Sequence, residues 1–138
     1  MTALNFLDTN VLVYAYDPSE PSRQKIAQDL VKQALRGELV ISTQVLAEFA
    51  ATLLHKAAVR RTAEELMVIL DILAPIRAIT PDGDMVRRAV EARATYGLHF
   101  YDGMIIAAAE RAGSETIWSE DLNAGQKYFG VTVVNPFR

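Results

Sequence analysis

The sequence predicts an α/β fold: three layers, α/β/α, with a central, mostly parallel sheet of about five short strands. Short apolar stretches of three or four residues recur along the chain, separated by segments with helical periodicity. Parallel strands need crossovers of that length, whereas antiparallel neighbours need only a hairpin. The strands themselves are apolar throughout rather than alternating, as expected when helices cover both faces of a sheet.

Asn5 to Leu7 is the first strand, followed by Asp8, Thr9 and Asn10 and then a second apolar run from Val11 to Ala15. Pro21 and Ser22 open a helix over Arg23 to Arg36, with Ile26, Leu30, Val31, Ala34 and Leu35 on one face and Gly37 where it ends. Leu39 to Ile41 is a strand, and Ser42 or Thr43 caps a helix running to about Ala58. Thr62 with Glu65 forms a capping box for a helix through Ala74, which Pro75 stops. Ile76 to Ile79 is the third strand, and Thr80 and Pro81 start a helix that lasts to about Tyr96 and closes at Gly97. Asp102 heads the segment GMIIAAAERAG, a helix so small and apolar that it must be buried on most sides. Thr116 to Trp118 is a strand, Asp121 to Phe129 a short helix, and Val131 to Val134 the last strand.

The chain has 138 residues, 51% of them apolar, so one domain spanning 1–138 can bury a full core without a staple. The absence of cysteine excludes disulfides, thiolate zinc sites and a cysteine nucleophile. The N-terminus has no basic region followed by an apolar stretch, and the apolar run Met104 to Ala109 is too short to cross a bilayer, so a cytoplasmic protein without membrane contact is expected. A net charge of −3 gives no global attraction to a polyanion. Lys56, Arg60 and Arg61 nevertheless form a local basic group, since no acid lies between Glu48 and Glu64. They are candidates for RNA contact, or a solvated helix end and loop.

In parallel sheets ligands bind beyond the carboxyl ends of the strands. Asp8 follows the first strand, and Asp121 follows the strand ending at Trp118. Asp102 leads the buried helix. Glu48 lies on the helix STQVLAEFAATLL, roughly 60° outside the apolar face and close to Thr52. Each acid also has an ordinary structural role open to it: Asp8, Asp102 and Asp121 as caps, Glu48 as an exposed helix residue. Taken together they point further, because carboxylates gathered at one sheet edge repel unless a cation offsets them. Hard oxygen donors without Cys or paired His suit Mg²⁺ or Mn²⁺, and phosphodiester hydrolysis is chemistry that uses such a cluster. Thr9, Asn10 and Ser119 are short polar side chains able to orient a carboxylate, a water or a phosphate, or simply to make local turns. His55 and His99 are lone histidines read as structural, and Trp118 is read as core.

With these residues in place, the chain resembles the PIN-domain nucleases over nearly its whole length, from FLDTNVLVYA through STQVLAEF and HFYDGMIIAAA to WSEDLNAGQKYFGVTVVNPF. The resemblance implies a compact nuclease cutting RNA with Mg²⁺ or Mn²⁺, with Asp8, Glu48, Asp102 and Asp121 as the catalytic and metal-holding acids and Asn10 and Ser119 at supporting positions. The small size is similar to VapC-type toxins of toxin–antitoxin pairs. That similarity implies a homodimer and a small antitoxin lying against Val11 to Tyr16 and the helix from Arg23 to Arg36, with a basic residue approaching the acids. A stand-alone RNA-processing nuclease and a non-catalytic RNA- or protein-binding domain of the same fold are the alternatives. A haloacid-dehalogenase-type phosphatase would want a second Asp at position 10, which is Asn, and a receiver domain would want an acidic pair at the first strand and a lysine beyond the last, where Asn135 and Pro136 stand.

Overall fold

A computed structural model describes residues 4–138. Strand β1 (Asn5–Leu7) is flanked by β2 (Leu39–Ser42) and β4 (Thr116–Trp118); β3 (Arg77–Ile79) lies outside β2, and β6 (Val131–Val134) outside β4. All of these pair in parallel, with Phe6 opposite both Val40 and Ile117. Strand β5 (Lys127–Tyr128) adds an antiparallel edge to β6. The sheet therefore has six strands where the sequence suggested about five.

The order β3-β2-β1-β4-β6-β5 dictates the layers. From β1 to β2 to β3 the chain steps in one direction through α1 (Thr9–Tyr14), α2 (Pro21–Leu35), α3 (Thr43–His55) and α4 (Ala63–Leu73). From β3 to β4 it reverses direction across the sheet through α5 (Gly83–Tyr96) and α6 (Phe100–Arg111). Because crossovers are right-handed, the reversal puts α5 and α6 on the face opposite α1 to α4. Phe6, Ile41, Phe49, Ile106, Ile117 and Val133 form part of a continuous core between these layers.

Several local expectations hold at the level of single hydrogen bonds. Ser42 Oγ accepts the Val45 N–H at 3.2 Å, and Thr62 and Glu65 satisfy each other's backbone N–H groups at 3.1 and 3.0 Å. Other boundaries differ. Helix α3 stops at His55 and a 3-10 turn covers Ala57–Val59, rather than helix continuing to Ala58. Asp82, not Thr80, caps α5, accepting the Met85 N–H at 3.0 Å. Helix α6 begins at Phe100 with His99 as its cap, which places Asp102 inside the first turn instead of at the cap.

The expected helix from Asp121 to Phe129 does not form. A loop leads into β5, and Tyr128 pairs with Val131 across a two-residue turn in which both Phe129 (φ 49°) and Gly130 (φ 85°) are left-handed. Positive φ at both central residues is the primed turn that matches strand twist. A phenylalanine tolerates it here because Tyr96 Oη accepts its N–H at 2.9 Å and the Arg88 guanidinium lies 3.5 Å from its ring centroid.

Candidate active site at the carboxyl edge of the sheet

The chain leaves β1 and β4 side by side, with the Asp8 N–H donating to the Trp118 carbonyl at 3.0 Å. Between these two strands the strand order reverses, which is where an open parallel sheet forms its crevice. The cleft there has a volume of about 530 Å³, and Asp8, Glu48, Asp102 and Asp121 all line it, with Thr9, Asn10, Val13, Tyr14, Ala51, Thr52, Lys56 and Glu120. Four acids dispersed through the sequence thus line one cleft.

Each is placed by a different element. Asp8, only 6% exposed, is the first residue beyond β1 and caps α1 through the Thr9 N–H at 2.7 Å. Its other oxygen accepts the Ser119 hydroxyl at 2.8 Å and the Asn10 amide at 3.3 Å. The capping role and the site role are therefore the same placement. Ser119 is fully buried; its Oγ also accepts the N–H groups of Asp121 and Leu122 at 3.2 and 3.3 Å, which folds the loop after β4 back over Asp8. Glu48, on α3, accepts the Thr9 hydroxyl at 2.7 Å and the Gln44 amide at 3.4 Å. Gln44 also donates to the Tyr101 carbonyl at 3.0 Å, so α3 is pinned to the start of α6 beside Asp102.

Asn10 explains why an amide occupies a position where another acid would complete a phosphatase pattern. Its Nδ2 faces Asp121 Oδ2 at 3.1 Å, Asp8 Oδ2 and the Ser119 hydroxyl, while its Oδ1 accepts the Glu120 N–H at 3.0 Å. Only a side chain carrying both donor and acceptor meets those demands. A carboxylate there would place a further negative charge against two others.

Burial pushes the Asp8 carboxyl up to about 6; the hydrogen bonds from Ser119 and Thr9 oppose this, and the charges of Asp121 and Glu48 add to it. Burial also raises Asp102, with the nearby His99 pulling the other way and Asp121 and Glu48 again pushing up. Asp121 and Glu48 are thus felt at both other acids. None of the ion pairs among the described residues involves these four carboxylates.

Glu120, on the same wall, was not singled out by the sequence. It is neutralised by an ion pair with Arg23 of α2, and its second oxygen accepts the Tyr14 hydroxyl at 2.9 Å. Arg23 in turn lies over the rings of Tyr14 and Phe137. The only signal in the sequence was adjacency to Asp121, which does not reveal that an arginine almost 100 positions earlier meets it.

The basic group is divided. Lys56 lines the cleft, but Arg60 and Arg61 do not. Arg60 donates to the His55 carbonyl at 3.1 Å, and Arg61 donates to the carbonyls of Val59 at 2.7 Å and Tyr16 at 3.0 Å, stitching the loop after α3 to the end of α1. His99 acts as a cap, its Nδ1 accepting the Tyr101 N–H at 3.3 Å. Trp118 is half-buried rather than fully in the core.

A family model described as PIN domain matches residues 6–129. The chain belongs to the PIN domain family. Among solved structures, a toxin–antitoxin complex from Klebsiella pneumoniae is similar with a TM-score of 0.69 and 21% identity, covering 96% of this chain and 97% of that one. VapBC2 from Rickettsia felis, bound to a DNA fragment from its promoter, is similar at 0.66 and 20%, covering 94% and 96%. FitAcB from Neisseria gonorrhoeae reaches 0.66 and 20%, covering 97% and 99%. At such identities the likeness is one of fold. No curated protein matches the chain by sequence.

PIN domains are typically nucleases, and the donor set of this one, all oxygen, fits a hard divalent cation. In the present rotamers no three acidic or histidine side chains among the described residues are grouped closely enough to hold an ion. Asp8, Glu48 and Asp121 are held instead by hydrogen bonds from Thr9, Ser119, Gln44 and Asn10. Among the described residues no helix is long and apolar enough to cross a membrane.

Proposed function

We propose that this PIN domain is a Mg²⁺- or Mn²⁺-dependent endoribonuclease, and that it is the toxin of a VapBC-type pair. The observation that carries the nuclease reading is the gathering of Asp8, Glu48, Asp102 and Asp121 in one cleft, with no cationic side chain paired to any of them among the described residues.

These four acids would hold the cation, which when bound supplies Lewis-acid polarisation of a phosphate and a more acidic water. The rest is work for the chain's own residues. Ser119 and the Thr9 N–H fix Asp8 from two sides, Thr9 Oγ1 fixes Glu48, and Asn10 spaces Asp8 from Asp121. Lys56 offers a positive charge to a phosphate entering from the α3 side. Arg60 and Arg61, occupied with backbone carbonyls, serve the loop that carries Lys56 into place.

The toxin reading is supported by the likeness in fold to VapBC and FitAcB structures over nearly the full chain. An antitoxin is the partner it entails. Val11, Leu12 and Val13 are buried in the core, so such a partner would meet Tyr14 at the end of α1, Tyr16 just beyond it, and α2 through its outer face, where Ile26 is exposed.

Purified protein is expected to cleave RNA only with added Mg²⁺ or Mn²⁺, and Asp8→Asn or Asp102→Asn to abolish cleavage while retaining the native circular dichroism spectrum. Metal-independent cleavage at equal rate by both variants would overturn the reading.

A further inference from the structure

Two consecutive acids follow β4, and the fold treats them differently. Glu120 and Asp121 both line the cleft, but of the two only Glu120 has a cationic partner among the described residues. The backbone of this loop does not depend on that pair: Ser119 Oγ accepts the Asp121 and Leu122 N–H groups, Asn10 Oδ1 accepts the Glu120 N–H, and the Ser119 N–H donates to the Val134 carbonyl at 3.0 Å. What Arg23 fixes is the Glu120 side chain. Glu120 Oε2 is shut off from solvent and has no partner among the described residues other than Arg23, while Oε1 accepts the Tyr14 hydroxyl at 2.9 Å. Arg23 is itself held. Its Nη1 donates to the same Tyr14 oxygen at 3.4 Å, and its guanidinium carbon lies 5.3 Å from the Tyr14 ring centroid and 5.2 Å from that of Phe137, two rings packed edge to face at 5.0 Å.

We propose that Arg23 is a positioning residue that keeps Glu120, a fifth carboxylate of the cleft, off the cation and so leaves Asp121 as the acid this loop supplies. This rests on the nuclease reading and adds to it a control on how many acids reach the metal. Glu120 carries the oxygen donors a hard cation takes and has one more methylene of reach than Asp121, so its own chemistry does not exempt it from binding. Its partner does. The guanidinium cancels its charge, and both of its oxygens are engaged, one by Arg23 and one by Tyr14. A lysine would supply the charge without the planar group that fits against a carboxylate and two rings at once. One more carboxylate on the ion would take a coordination position needed for water or phosphate and weaken its action as a Lewis acid. Arg23 does not line the cleft, so it acts on the site through Glu120 alone.

The test is calorimetric titration of the full-length protein with Mn²⁺ alone, for the parent, Arg23→Ala, Arg23→Ala/Glu120→Gln and Lys56→Ala. Lys56→Ala removes one positive charge from the cleft without freeing a carboxylate, and so sets the size of a purely electrostatic effect. Arg23→Ala is expected to bind Mn²⁺ roughly tenfold more tightly than Lys56→Ala, because affinity follows the number of charged ligands, and the double variant should return to the parent affinity. With Mn²⁺ saturating, Arg23→Ala should cleave RNA with kcat lower by roughly 10- to 100-fold and KM little changed, and Glu120→Gln in the same background should restore kcat. Should Arg23→Ala not fold, Arg23→Gln, which keeps an amide against Glu120 without the charge, gives the same comparisons. Affinity no greater than that of Lys56→Ala, tighter binding that persists in the double variant, or a loss of kcat that the double variant does not restore overturns the proposal and leaves the nuclease reading intact. A parent that binds no Mn²⁺ removes the nuclease reading, and this proposal with it.

Discussion

Asp8 is enclosed by Ser119, Thr9 and Asn10, and its proton is held up to about pH 6 by burial. The consequence for stability has a definite sign. A carboxyl whose folded pKa exceeds its unfolded value of 3.8 stabilises the fold in full below about pH 4, and that contribution is lost as pH rises through about 6. At about 1.4 kcal/mol for each tenfold change in proton affinity, the charged form is disfavoured by an amount on the order of 3 kcal/mol at neutral pH. Asp8→Asn removes the charge but turns an amide N–H₂ toward donors, which takes back part of the gain. Without divalent cations, urea unfolding of the two proteins should therefore give curves that diverge between pH 4 and pH 7, the variant gaining on the parent as pH rises. Asp102 is shifted the same way and is common to both, so it drops out of the difference. Curves that stay parallel across that range would show that Asp8 is not held protonated by its surroundings.

Helix α6 reaches the site by an unusually close approach to α5. A Cβ placed at Gly103 would lie 2.8 Å from the Ala89 carbonyl oxygen and 3.1 Å from Ala89 Cα, and neither backbone atom can step aside. Gly103→Ala must push α6 away from α5, and Asp102, its neighbour in the first turn, moves with it. Overpacking of this kind typically costs about 1–3 kcal/mol, more than the gain in helix propensity from replacing glycine by alanine. The variant should melt several degrees lower and lose cleavage activity, whereas Gly83→Ala, with nothing within 4 Å, should melt close to the parent. The same elements show what sequence alone reveals. The parallel sheet, the caps at Ser42 and Thr62 and the four acids were legible because each depends on periodicity, local hydrogen bonding or position after a strand. Phe129 was not legible, because its left-handed conformation is held by Arg88 and Tyr96 from a distant helix, and without that knowledge the segment after Asp121 looks helical. The Arg23–Glu120 pair and the Gln44 bridge escaped for the same reason: they belong to side chains that meet only once the layers are assembled.

At the scale of the whole molecule, charge is unevenly matched. The chain carries a net charge of −3, and its ion pairs on α2, α5 and α6 and around Glu120 leave the four cleft acids to one another and to Lys56. Burial, with a smaller contribution from the charges of Asp121 and Glu48, raises Asp8 and Asp102 in the folded state alone, since unfolding exposes the groups and disperses them along the chain. A divalent cation that binds them favours the folded state through its affinity, of which the relief of repulsion between the carboxylates is a part. For a ligand at a hundred times its dissociation constant the stabilisation is about 2.7 kcal/mol. In a chain of this length that corresponds to a rise in melting temperature on the order of 10 °C. Differential scanning calorimetry in Mn²⁺ or Mg²⁺, against NaCl of matched ionic strength, should show this rise. Asp121→Asn should reduce it, because Asp121 adds charge to the cluster without the burial of Asp8. Equal melting in both salts would mean that the acids do not act together on a cation, and the chemistry assigned to the cleft would lose its foundation.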